Sequence, residues 1–311
     1  MTVSRGSGPN TAATPLPPTG FLLLAGLGIF WGLNWPFMKI ALSEIPVWPF
    51  RSICLIVGGG ALLTLARLAG QPIRVPTAEL RPMLICALFN VIGWHMCSGY
   101  GVSLMEAGRA SIIAFTMPVW AAILAQIVLR ERPTATVLIG LMLGVAGLAV
   151  LIGPDLRALE TAPVGAFLML SAAVSWAFGT VIMKRYVWSM PVAVLTGWQL
   201  VVGSVPITIG TLLFHPIPDP ADLSLAALGS LAFILAFPMT FCQWAWFSLV
   251  RMFPAVIAAI GTLSIPVVGV VSSGIVLNEP IGPRELAALT LVCTALAVVL
   301  VLPALRRSKG T

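Results

Sequence analysis

Charge is scarce in this sequence: of 311 residues only 9% are Asp, Glu, Lys or Arg, against roughly 25% in a soluble globular domain. That shortage excludes an ordinary water-facing surface. Histidine and tyrosine occur twice each, so little side-chain acid–base chemistry is available near neutral pH. Cys54, Cys86, Cys97, Cys242 and Cys293 include no close pair. They read as buried small hydrophobes, without a disulfide framework or a metal site. The alternating strands of an outer-membrane barrel are missing. So are a His-Glu-x-x-His helix and a Gly-x-Ser-x-Gly elbow, and no enzyme and no cofactor are expected. The first twenty residues, MTVSRGSGPNTAATPLPPTG, lack the apolar middle of a cleavable leader and read as a disordered tail; residues 305–311 form a short basic one.

Apolar sequence fills the rest. The chain is 59% hydrophobic with mean hydropathy +1.04. Ten segments have the length and composition of membrane-crossing helices: 21–41, 48–68, 82–104, 110–129, 134–153, 164–186, 191–213, 225–249, 255–277 and 284–304. Unbroken apolar runs require the internally hydrogen-bonded helix, so the expected fold is an all-α polytopic membrane protein. With the N-terminus in the cytoplasm, twelve of the seventeen basic residues fall in inside segments. Lys39, Arg51, Arg109, Arg157 and Arg284 fall outside, together with eight of the ten acids. This asymmetry places both termini inside and explains the net charge of +7 by topology, without a nucleic-acid partner.

The chain also repeats itself. Trp31 and Trp176 stand 145 residues apart, as do Met38 and Met183, and Lys39 and Lys184. Pro118 and Pro266 stand 148 apart, as do Glu131 and Glu279. Two five-span units, 21–153 and 164–304, follow. An odd number of crossings sets the second copy upside down relative to the first, the architecture through which many secondary transporters alternate access to a midplane site.

Helical spacing then selects candidate site residues. Trp31, Asn34, Trp35 and Met38 share one face of the first span, and Trp176, Gly179, Thr180 and Met183 the matching face of the sixth. In the third span Asn90, Trp94, Cys97 and Gly101 form a stripe flanked by His95, Ser98 and Tyr100. Thr240, Gln243, Trp244 and Phe247 share a face of the eighth, with Trp246 directed to lipid, and Trp198 and Gln199 are weaker candidates in the seventh. The competing roles are indoles in an interfacial belt and amides that join helices. Pro118 and Pro266 each remove a backbone donor in mid-span and read as hinges. Glu131, Glu279, Lys39 and Lys184 sit at span ends, the acids as terminators or ion-pair partners and the lysines snorkelling to water. Gly140, Gly144 and Gly147 offer a close-packing or homodimer face. With no basic residue expected at the midplane, phosphate-bearing solutes are disfavoured. Indole, amide, hydroxyl and one imidazole suit a neutral or zwitterionic small molecule.

The stretch WGLNWPFMKIAL in the first span, MPVWAAILAQIVLRERPT closing the fourth and IPVVGVVSSGIVLNEPI closing the ninth resemble the EamA-type branch of the drug/metabolite transporter superfamily, over nearly the whole chain. Within that branch the likeness is greatest to YddG-type exporters of aromatic and other neutral amino acids. The resemblance implies an inner-membrane exporter of small metabolites, monomeric or homodimeric, with multidrug or nucleotide-sugar-type export as the alternative. It supplies no universal site residue. Energy coupling stays open between uniport and proton-coupled antiport.

Overall fold

A computed structural model describes residues 18–128, 135–152, 163–215, 217–252 and 264–301. Within them the chain is helical, without strands. Ten helical elements follow one another: α1 (Pro18–Glu44), α2 (Val47–Leu68), α3 (Thr77–Leu104), α4 (Ala107–Val128), α5 (Ala135–Ile152), α6 (Pro163–Arg185), α7 (Val192–Phe214), α8 (Leu225–Met252), α9 (Ser264–Leu277) and α10 (Pro283–Leu296, continued through Val301). Six are long and apolar enough to cross a membrane by length and composition, and shorter apolar helices lie within α5 and α9. The protein is a polytopic membrane protein. Of the expected disordered tail, residues 18–20 are instead the start of α1; its first seventeen residues, the C-terminal tail, Glu131 and the start of the expected ninth span fall outside the described residues.

Local chemistry sets the element ends. After α2, Gly70 adopts φ 72° and lets Gln71 N–H reach back to the carbonyl of Ala66 at 2.9 Å, a left-handed stop that glycine makes without strain. Ser224 caps α8 by accepting from the Ala227 N–H at 3.1 Å. Inside α3 and α8 the winding loosens to π-helix over Ala87–Gly93 and Phe237–Phe241. The second stretch absorbs Pro238, which has no N–H to donate. In α4 the helix unwinds at Phe115 and Thr116, just before Pro118, and restarts at Met117. Pro266 is buried in α9, two residues after Ser264, the first described residue of that helix.

The packing crosses between the first five helices and the last five. α1 lies against α8 and α9, while α6 lies against α3 and α4; α2 pairs with α7, α5 with α10 and α4 with α9. Close backbone approach at α2/α7 requires glycine: a Cβ on Gly59 would stand 3.0 Å from both the Gly197 carbonyl and the Val201 nitrogen. The expected homodimer face on α5 is occupied within the chain. Gly140 and Gly147 face Val299 and Val292 of α10, and Gly144 faces Val119 of α4.

Two tethers join the halves. At the end where α1 finishes, the Glu44 carboxylate accepts from both the backbone N–H and the hydroxyl of Ser224. At the opposite end the Glu79 carboxylate accepts from both the backbone N–H and the hydroxyl of Ser189. Glu44 and Ser189 are 145 residues apart, and so are Glu79 and Ser224. Each tether is therefore the other with acid and serine exchanged.

Candidate functional site

The side chains singled out in the sequence separate into three groups. At the α3/α6 seam the rings of Trp94 and Trp176 lie 5.3 Å apart, inclined at 60°. Nearby, Asn90 rests on Gly179, where a Cβ would fall 2.1 Å from its Oδ1, and its amide reaches Gln199 Oε1 at 3.5 Å. Trp31 on α1 donates to the Pro238 carbonyl at 3.4 Å, the backbone of the α8 π-segment, with its ring 6.1 Å from that of Trp246. Asn34, Thr180 and Gln243 are half-buried and form no side-chain hydrogen bond with the described residues.

Other candidates lie elsewhere. Trp35 is buried in the apolar core, 3.0 Å from the position a Cβ on Gly269 would take. Tyr100 turns toward α2, its hydroxyl accepting from Trp48 Nε1 at 2.9 Å, and Trp48 in turn stacks on His215. Trp246, expected to face lipid, packs on Trp31, whereas Trp244 is 46% exposed beside Phe241. The Thr240 hydroxyl bonds back to the Leu235 carbonyl at 2.8 Å. Helical phase in α8 was read as uninterrupted, and the π-segment rotates everything after it.

The end where α1 finishes is closed by charge. Lys39 does not snorkel to water: its Nζ donates to the carbonyls of Val102, Ser103 and Met105 at 2.7, 3.0 and 2.8 Å. It thereby neutralises the C-terminus of α3, where a cation is favourable. Glu279 accepts from the Ala107 and Gly108 N–H groups at 2.7 and 2.9 Å, an anion on the N-terminus of α4. Arg109 bridges Glu106 at 2.8 Å and Glu285 at 2.9 Å. One short turn between α3 and α4 is thus clamped from α1, α9 and α10 together. At the register position of Lys39 in the second half, Lys184 is exposed. Glu44, beyond the apolar stretch, has its carboxyl held below the ordinary range by the Ser224 hydroxyl and then by the Ser224 N–H.

Beneath this closure lies a group that the sequence reading placed at the outer surface. Arg51 of α2 is only 5% exposed. Its Nη2 donates to Ser98 Oγ at 2.9 Å and to Met38 Sδ at 3.1 Å. Arg51, expected in an outside segment, is therefore buried among the packed helices near the start of α2. Four residues after Val47, the start of its helix, Arg51 has the position of an end residue; its phase with Cys54, Leu55 and Gly58, all buried, is the available signal.

Residues 18–153 and 163–301 both match the EamA-like transporter family. The chain is 34% identical over 282 residues to the uncharacterized transporter YvbV of Bacillus subtilis, covering 89% of this chain and 90% of that protein. It is 28% identical over 289 residues to a probable amino-acid metabolite efflux pump of Salmonella typhimurium, covering 90% and 93%. A second probable amino-acid metabolite efflux pump, from Escherichia coli, is 25% identical over 280 residues, covering 87% and 91%. A solved crystal structure shares the fold with a TM-score of 0.66 at 19% identity, over 93% of this chain and 98% of its own.

Proposed function

Because this chain belongs to the EamA-like transporter family and is a membrane transporter, we propose that it exports neutral amino acids, those with aromatic or large apolar side chains foremost. The observation that carries the reading is the pairing of the Trp94 and Trp176 indoles across the α3/α6 seam, with half-buried uncharged groups at Thr180 on α6, Asn34 on α1 and Gln243 on α8. Rings of this kind pack against an apolar side chain while amides orient a polar head. Two relatives named as amino-acid metabolite efflux pumps support the same substrate class. A phosphate-bearing solute would need more than one cation to balance it. Among the side chains the structure describes, Arg51 is the one Lys or Arg that is buried.

The mechanism is alternating access by two inverted five-helix units in the cytoplasmic membrane, with both termini inside. The reciprocal tethers and the crossed packing of α1 and α6 support this relation, since each contact has a counterpart with the halves exchanged. Release of the Lys39, Glu279 and Arg109 contacts opens the closed end, with the unwound turn before Pro118 and the helix at Pro266 absorbing the bend. The test is counterflow in proteoliposomes with labelled phenylalanine, leucine, uridine and a cationic dye, with and without a pH gradient. Phenylalanine and leucine exchange is expected, reduced by Asn34→Ala and by Gln243→Ala. Exchange of the dye or the nucleoside alone overturns the substrate class. Exchange indifferent to the pH gradient assigns uniport.

A further inference from the structure

Arg51 presents a problem of electrostatics. A guanidinium taken out of water costs several kcal/mol unless an anion accompanies it. The Arg51 side chain meets a hydroxyl, a thioether, the face of the Phe50 ring at 5.2 Å from its centroid, and the apolar core. Its Nε is buried without a hydrogen-bond partner, and no carboxylate among the described residues pairs with it. Beside it, His95 is 7% exposed, within electrostatic reach of Arg51, and its Nδ1 also has no partner. The backbone makes room for this group. A Cβ on Gly99 would approach Arg51 Nε to 3.2 Å and Val47 to 2.6 Å, so α3 carries glycine where the side chain lies against it.

Position along the helices gives the cluster a meaning. Met38 and Ser98, which hold the guanidinium, stand one helical turn from Asn34 and Trp94 respectively. Lys39 and its carbonyl partners at Val102 and Ser103 form the next layer outward. The unpaired cation therefore lies between the end closure and the indole-lined layer.

We propose that Arg51, with Ser98 and His95, is the site that binds the carboxylate of the transported solute. The proposal deepens the amino-acid reading and rests on it for the identity of the rest of the solute. A planar fork with five donors matches a carboxylate, and a single buried cation balances one negative charge and no more. The solute is therefore a monoanion or a zwitterion. An amine lacking the carboxylate is rejected, because it would leave one buried cation facing another.

The test uses the purified full-length protein. In proteoliposomes, 3-phenylpropionate is expected to compete with labelled phenylalanine, and phenethylamine is not. Arg51→Gln is expected to raise the KM for phenylalanine about thirtyfold, with Arg51→Lys intermediate. A second readout separates binding from scaffolding. Arg51→Met replaces an unpaired buried charge by an apolar chain of similar length, so thermal unfolding in detergent is expected at an equal or higher temperature. A residue that merely held α1, α2 and α3 together would lower it. Phenylalanine and 3-phenylpropionate are also expected to raise the melting temperature of the wild type and to lose that effect in Arg51→Met. If the wild type moves no amino acid yet is stabilised by 3-phenylpropionate through Arg51, the amino-acid reading fails and the carboxylate site stands. A wild-type KM in Arg51→Gln, or phenethylamine competing as well as 3-phenylpropionate, overturns the site.

Discussion

At the residue scale, the ionisable side chains of this membrane protein are engaged in three different ways, and composition alone does not distinguish them. Lys39 closes a helix end, Arg109 forms ion pairs with Glu106 and with the buried Glu285, and Arg51 is buried without a counter-charge. Lys39 is the easiest to test. Lys39→Met leaves the terminal carbonyls of α3 without their donor, at a cost of about 1–3 kcal/mol. Lys184→Met, at the equivalent register but exposed, is expected to fall within about 0.5 kcal/mol of wild type. Thermal unfolding of the two variants side by side checks the contrast. In sequence both lysines follow an identical methionine, in FMK and IMK. Which one docks depends on the C-terminus of α3, contributed by a segment more than sixty residues away, and no local pattern encodes that.

At the element scale, the helices were legible and their phase was not. Apolar runs of membrane length marked where the helices lie, and the helix ends that fall inside the described residues agree to within a few residues, because the hydrocarbon leaves the backbone no alternative to the helix. The start of the ninth lies outside the described residues. The π-segments at Ala87–Gly93 and Phe237–Phe241 have no comparable signature, and they moved Trp244 and Trp246 off the faces that a period of 3.6 assigns. The tethers were hidden for another reason: Glu44 and Ser224 are ordinary loop and cap residues until the fold brings them together. Their reciprocity with Glu79 and Ser189 makes a sharp expectation. Glu44→Ser and Ser224→Glu singly each lower the melting temperature, while the double exchange recreates the other tether and restores it, a coupling that a double-mutant cycle reads directly. Acid acts in the same sense. The folded-state pKa of Glu44 lies below its unfolded value, so the tether contributes fully above the unfolded pKa, near 4.3, and is lost as pH falls through the folded value. The Glu44→Gln variant is expected to lose less stability than wild type between pH 5 and pH 3, the window about that pKa.

At the scale of the whole molecule, each half is completed by the other. α1 is seated among α8 and α9, α6 among α3 and α4, so neither set of five helices encloses its own first member. Internal similarity at offsets of 145 and 148 made two related units legible, but the crossing of their first helices is a property of packing that a single strand of residues does not display. The glycines on α5 illustrate the gap: their spacing announced a close contact, and only the fold gives that contact to α10 and α4 in place of a second copy of the chain. The α2/α7 seam tests how firmly the halves are joined. Gly59 faces the Gly197 carbonyl and the Val201 nitrogen, backbone atoms that cannot rotate away, whereas a Cβ at the adjacent Gly60 meets nothing within 4 Å. Leucine is the better helix former at both positions. Gly60→Leu is therefore expected to unfold at or above the wild-type temperature, and Gly59→Leu to lose about 1–3 kcal/mol or more through overpacking, with a fall in monodisperse protein. Equal behaviour of the two variants would mean that α2 and α7 do not meet along this line.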